Sequence, residues 1–154
     1  MLNSSIDITR RLEFDAGHRI PHHGGQCKHL HGHRYVIEVT LRGAVQEKHG
    51  DADEGMVLDF GDIKKITNEH IVDRWDHSFI VAKDDLVLVN FLNAIPGHKT
   101  VVIDLIPTIE NLAKIAFETL EPLFQKNYSG RLSLHRVRLY ETPNCWADAY
   151  GKPS

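Results

Sequence analysis

Apolar and polar residues alternate from Ile6 onward. Ile6, Ile8, Leu12, Phe14 and Ala16 occupy even positions against Asp7, Thr9, Arg11, Glu13 and Asp15, with Arg10 the one interruption. A period of two sends successive side chains to opposite faces, so the segment reads as a half-buried strand. Continued, the period puts His18 on the apolar side at the strand's end. A second alternation begins at His31, with His33, Tyr35, Ile37, Val39 and Leu41 on one side and Arg34, Glu38, Thr40 and Arg42 on the other. Here too the histidines share the core face. The intervening segment 19–30 contains Pro21, Gly24 and Gly25 and is longer than a tight hairpin needs. It reads as a functional connection within an antiparallel pair.

Beyond Gly43 the stretch 46–55 is polar, and Asp59 is then placed to cap a helix striped by Ile63, Ile66, Ile71 and Trp75 and running to Asp76-His77. Segment 79–93 holds the run Leu86-Val87-Leu88-Val89, too short for its period to separate strand from helix; a short helix is expected there. The β-branched segment 100–105 reads as an edge strand. Pro107-Thr108 opens the clearest helix, with Thr108 as N-cap and Ile109, Leu112, Ala113, Ala116, Leu120 and Leu123 at spacings of three and four. Pro122 is expected to end or kink it. Leu132 and Leu134 are even whereas Val137 and Leu139 are odd, so a third strand changes phase near His135-Arg136, as a β-bulge would produce. Glu141 then falls on the side of Val137 and Leu139, an inward carboxylate at a strand end. Pro143-Asn144 turns the chain into a last strand over 145–150.

Composition narrows the function. With 18 Lys+Arg against 21 Asp+Glu the net charge is −3, which removes the driving force for sequence-independent binding to nucleic acid or anionic lipid. Segment 1–15 has no apolar stretch behind a basic start, and nowhere do 18 apolar residues run together, so a soluble, cytoplasmic protein is expected. Cys27 and Cys145 are expected as free thiols. Eleven histidines among 154 residues is the one compositional oddity, and it calls for a metal or proton-transfer role.

His31 and His33, two apart on a strand, point the same way with roots about 6–7 Å apart, so both imidazoles can reach one ion. If the first two strands pair antiparallel, the end of one meets the start of the other and His18 joins them. Three imidazoles leave a fourth tetrahedral position for water or substrate, the mark of a catalytic rather than a closed structural zinc site. Nickel, iron and copper also suit imidazole. The plain alternative, three unrelated histidines at the core edge, is opposed by their shared apolar face. His22, His23 and His29 read as loop residues.

Three further groups each keep two readings. Cys27, four residues before His31, is either a fourth metal ligand or an unligated thiolate near a cation, serving as base or nucleophile. Asp76-His77 is either half of an acid–base relay, the carboxylate orienting the imidazole, or a polar pair that ends a helix. Glu141, if inward, must be paired, since a lone buried carboxylate is costly. An amidine-like edge, N–H beside an exocyclic NH₂, would satisfy both its oxygens, as would a salt bridge to Arg136 or Arg138.

Together the motifs Phe14-x-Ala16-x-His18, Cys27-x-x-x-His31-Gly32-His33, Gly55-Met56-Val57-x-Asp59-Phe60, Asp76-His77, Pro107-Thr108-x-Glu110-Asn111 and Glu141-Thr142 resemble the 6-pyruvoyltetrahydropterin and 6-carboxytetrahydropterin synthase family. The resemblance implies an α+β tunnelling fold in a single domain over 1–154. In it an antiparallel four-stranded sheet carries two helices on one face and oligomerises into a barrel, a homohexamer with active sites between subunits. It also implies that His18, His31 and His33 hold Zn²⁺, that Cys27 is the catalytic thiol, and that Asp76 with His77 completes its relay, a neighbouring subunit being one source of that pair. Glu141 then resembles the pterin anchor, assisted by Thr108 and Glu110, with Lys28, Arg19 and Arg34 as candidate triphosphate contacts.

The three-residue gap between Cys27 and His31 is similar to that of the carboxy branch, which converts 7,8-dihydroneopterin triphosphate to 6-carboxy-5,6,7,8-tetrahydropterin, acetaldehyde and triphosphate on the way to queuosine. The pyruvoyl branch, which eliminates triphosphate without carbon–carbon cleavage, is the alternative. Segment 81–106 is longer than in compact members, and Trp75 stands where Leu is frequent. From other classes come a zinc-stabilised binding module, in which Cys27 ligates metal, and a zinc hydrolase, in which Cys27 and Glu141 are dispensable.

Overall fold

The structure, a computed structural model, describes residues 4–152; the outermost residues of the domain expected over 1–154 lie outside the described residues. β1 (Ile6–His18) and β2 (His31–Gly43) form an antiparallel ladder in unbroken register from Ile6↔Gly43 to His18↔His31. The alternation does what its period requires. Phe14, Tyr35, Ile37, Val39 and Leu41 are buried on one face, while on the other Arg42 pairs with Asp7 at 2.7 Å and Arg34 with Asp15 at 3.1 Å.

β5 (Leu132–Thr142) pairs antiparallel with β2, and its register slips where the sequence changes phase. Thr40 faces Arg136 and Leu41 faces Leu134, so His135 is the extra residue of a bulge that lets Leu134 and Val137 both point inward. β6 (Cys145–Tyr150) follows across the Pro143-Asn144 turn. Tyr140 faces Trp146 and Thr142 faces Cys145, leaving Glu141 as the extra residue of a second bulge.

The inward face is covered by two helical segments. α1 (Phe60–Thr67) starts at Asp59, whose side chain accepts from Gly61 N–H, and passes through a π-turn at Asn68–Val72 into the single turn α2 (Asp73–Trp75). Ile63, Ile71 and Trp75 enter the core as expected, the wider π-turn making up for the imperfect spacing between them. The second segment is α4, which follows α3 (Leu86–Asn93) in the chain. It runs over Ile109–Asn127 and lies against β5 and β6, with Leu112, Ala113, Ala116, Leu120 and Phe124 in the main core.

Pro122 does not end this helix, one of the two outcomes expected of it: α4 continues to Asn127. A helical proline costs about 3 kcal/mol, but Leu120 and Phe124 on either side are both fully buried, and each such side chain returns about 1.5–3 kcal/mol. The ring itself is exposed, so packing outweighs propensity.

The four-stranded antiparallel expectation is corrected: among the described residues the sheet has six strands and is mixed. β3 (Ser78–Ala82) runs parallel to β1, and β4 (Thr100–Ile103) parallel to β3. The strand order is β4-β3-β1-β2-β5-β6. Two helices on one face is also too simple. Ile80 joins the main core, whereas Phe79 and Val81 pack with Leu88, Val89 and Leu92, so the expected short helix α3 covers the opposite face. Gly17 permits this, because a Cβ there would lie 2.6 Å from the Phe79 ring. The segment 100–105 supplies the edge strand as expected.

Candidate metal centre

The antiparallel register places His18 directly opposite His31 and His33 opposite Ala16, so three imidazoles meet at one end of the sheet. Their ring centroids lie 4.5, 5.1 and 4.9 Å apart, and one nitrogen of each lies within 4.8 Å of the others. Two rings are oriented by carbonyls: His18 Nδ1–H donates to Pro107 O at 2.8 Å and His31 Nδ1–H donates to His29 O at 2.7 Å. That tautomer leaves a lone pair on each Nε2, yet the two Nε2 atoms face each other at 3.0 Å. Two acceptors at that distance need a cation between them. His33 Nε2 is buried with no hydrogen-bond partner, a third ring nitrogen left free for a ligand role.

The donor set therefore fits a metal. A tetrahedral zinc at about 2.0–2.1 Å from each nitrogen separates them by roughly 3.3 Å, inside the range observed. The carbonyl partners are the outer contacts that commonly hold metal-bound imidazoles in place. Glu141 Oε1 lies 3.7 Å from His33 Nε2, a carboxylate beside the place for a cation.

Burial holds His18 below the ordinary imidazole value of 6.5 despite its Pro107 hydrogen bond, and burial likewise lowers His33 despite Glu141. Both rings are thus kept neutral, as metal ligation requires. In the metal-free chain the unfolded state binds protons below pH 6.5 before these buried rings do. Their contribution to stability is complete above that pH and is lost as pH falls through the lowered native values. Chelator-treated protein is accordingly expected to show a thermal midpoint that falls on acidification below about pH 6.5, more steeply than His18→Phe does. Thermal melts across pH 5–8 check this.

Glu141 does not take the salt bridge that would have explained it away. Arg138 holds Asp148 at 2.7 and 2.8 Å, and Arg136 reaches Glu38 at 3.9 Å, both on the outward face. The carboxylate is instead turned toward His33 and is 18% exposed, so its oxygens remain available to a ligand. Tyr35, two residues past His33, is fully buried, and burial and then the Glu141 charge push its phenol well above its ordinary value.

Cys27 sits half-buried in a single 3₁₀ turn, Gln26–Lys28, tied down by the hydrogen bond from Ile20 N–H to Cys27 O at 2.8 Å. Its sulfur is not among the atoms grouped with the three nitrogens. Asp76 and His77 are placed elsewhere, at the junction of β1 and β3. Asp76 accepts from Asp15 N–H at 2.9 Å and pairs with His77 Nδ1 at 2.9 Å. The Asp15 amide and then the His77 ring hold the Asp76 carboxyl below the usual range. His77 itself has φ +57°, a left-handed conformation uncommon outside glycine and found often at functional sites. Within one chain this pair groups with Asp15, not with the three histidines.

Thr108 caps α4, its Oγ1 accepting from Asn111 N–H at 3.3 Å, and Glu110 is exposed in the helix's first turn. Of the basic candidates, Arg19 is bound to Asp85 at 2.7 Å and Arg34 to Asp15, while Lys28 with His22 and His29 borders a cavity of about 720 Å³. Sequence reading missed Pro107 and His29 as orienting groups. Both act through backbone carbonyls, which carry no signature in residue type.

The model of the family described as 6-pyruvoyl tetrahydropterin synthase matches residues 7–152. The 6-carboxy-5,6,7,8-tetrahydropterin synthase of Rickettsia felis is 39% identical over 144 residues, covering 93% of this chain and 99% of that one. An uncharacterised protein from Wolinella succinogenes shares the fold with a TM-score of 0.79 at 23% identity, covering 97% of this chain and 99% of that one. The 6-pyruvoyl tetrahydropterin synthase structure of Caenorhabditis elegans aligns with a TM-score of 0.67 at 26% identity, covering 97% of both chains.

Proposed function

The chain belongs to the 6-pyruvoyl tetrahydropterin synthase family, and we propose that within it the protein is a zinc-dependent 6-carboxy-5,6,7,8-tetrahydropterin synthase. It would convert 7,8-dihydroneopterin triphosphate and one water to 6-carboxytetrahydropterin, acetaldehyde and triphosphate, a carbon–carbon lyase reaction that feeds queuosine synthesis. The observation that carries the reading is the convergence of three imidazoles beside an inward carboxylate that no arginine pairs, in a chain 39% identical to a relative of that name. A zinc ion held by His18, His31 and His33 would supply Lewis acidity, making protons next to a bound oxygen easier to remove.

The chain's own groups do the rest. Glu141 accepts two N–H bonds from the pterin edge, which fixes the ring's orientation and keeps its side chain beside the histidines. Cys27, outside the ligand group yet anchored in its 3₁₀ turn, takes or relays a proton at the side-chain carbons. Asp76 holds His77 through a 2.9 Å contact for the companion transfer. Because that pair stands apart from the histidines in one chain, it serves a neighbouring subunit's site, in keeping with a homohexameric barrel in the cytoplasm. Thr108 and Glu110 sit at the start of α4, the helix whose approach also delivers the Pro107 carbonyl to His18.

The decisive experiment is to incubate zinc-loaded protein with 7,8-dihydroneopterin triphosphate and assay acetaldehyde with alcohol dehydrogenase. Stoichiometric acetaldehyde and triphosphate are expected. Triphosphate release with the three-carbon side chain retained would make the protein a pyruvoyl synthase instead.

A further inference from the structure

Tyr35 lies on β2 two residues beyond His33, so its side chain shares the inward face with the metal-site histidines. Its ring is held on several sides. It stacks on Phe14 at 5.2 Å, with the rings of His33 and His18 edge-on at 5.6 and 6.1 Å. A ring so confined has its hydroxyl confined as well. That hydroxyl is buried and has no hydrogen-bond partner. Leaving such a group unpaired costs about 1–3 kcal/mol, whereas phenylalanine, with the same shape, costs nothing of the kind.

Four buried side-chain polar atoms among the described residues lack partners, and two of them, Tyr35 Oη and His33 Nε2, belong to this corner. The histidine nitrogen is accounted for by the donor set of the metal centre. The phenol has no such account. The ladder indicates what lies beside it: Val36 faces Tyr140, so the next residues toward the site are Tyr35 on β2 and Glu141 on β5. With Glu141 Oε1 3.7 Å from His33 Nε2, a hydroxyl and a carboxylate border the same end of the sheet.

We propose that Tyr35 is a second ligand-recognition residue, whose O–H donates to a heterocycle acceptor adjacent to the N–H edge accepted by Glu141. A carboxylate can only accept, so Glu141 alone reads a donor pair. In a 2-amino-4-oxopyrimidine ring that pair, N3–H and the 2-amino group, is flanked by two acceptors, O4 and N1. A phenol beside the carboxylate is the donor one of them needs. Ligand binding would then satisfy the buried hydroxyl, and a ring with the donor pair but no adjacent acceptor would be rejected. The proposal rests on the pterin reading above.

The test is Tyr35→Phe, compared with the parent in metal content, thermal midpoint and affinity for neopterin, a probe that lacks triphosphate and is not turned over. Loss of one neutral hydrogen bond is expected to weaken neopterin binding about three- to tenfold in a fluorescence titration. The thermal midpoint should stay level or rise, and metal content should be unchanged. Unchanged affinity overturns the proposal. So does a lowered midpoint or lost metal, since either shows that the hydroxyl serves the fold or the metal centre. A parent protein that fails to bind neopterin overturns the pterin reading itself, which separates the two failures.

Discussion

Alanine in place of His31 is expected to abolish the zinc binding proposed for the three histidines while leaving the fold intact. His31 is half-buried at the edge of the site, and its side chain has no part in the main core, so the β1–β2 ladder should survive and far-UV circular dichroism should match the parent. The metal centre should not survive. Removing an outer hydrogen-bond partner from a metal site commonly costs about 10–100-fold in affinity, and removing one of three direct ligands should cost more than that. The variant should therefore carry less than about a tenth of the parent's zinc after dialysis, measured by elemental analysis. Retention of parental metal would show that the facing Nε2 atoms of His18 and His31 share a proton and that the ion is held elsewhere.

Alanine in place of Cys27 should have the opposite profile. Turnover of 7,8-dihydroneopterin triphosphate is expected to fall by about 10²–10⁴, the usual scale for a proton-transfer group, with zinc retained at the parent's stoichiometry. The argument is geometric: the three nitrogens form a compact group without the sulfur, and the 3₁₀ turn that carries Cys27 is tethered through its backbone rather than through the thiol. If Cys27→Ala loses zinc together with activity, the thiol is the fourth ligand and the site is closed and structural. Measuring zinc and rate on the same preparation distinguishes the two.

The parts of this molecule that could be read from the chain are those where side-chain period and burial agree. The alternations in β1 and β2 placed His18, His31 and His33 on one inward face, and the phase change at His135 marked a real bulge. β4 showed as a β-branched run at 100–105, but its parallel partner β3 was hidden, because it is only five residues long and, in a strand buried on both sides, apolar residues run together without alternating. Pro122 misled because helix propensity is local, whereas the burial of Leu120 and Phe124 depends on the whole sheet. The site divides the same way. Its imidazoles and the inward direction of Glu141 follow from period, but the carbonyls of Pro107 and His29 that orient two rings come from backbone paths no residue type announces. That Asp76 and His77 group with Asp15 and not with the three histidines reflects the π-turn and the parallel pairing of β3, both set by tertiary packing.

Glu141 occupies a position that the β5–β6 hairpin does not need. A chain shorter by that one residue would zip its two strands together without a break, gaining an uninterrupted ladder and losing nothing from the hydrophobic interior. What is constrained in this corner is therefore arithmetic as much as chemistry. Exchanging Pro143 or Asn144 leaves the count intact, whereas an insertion or deletion between Leu139 and Trp146 rotates the carboxylate out of reach.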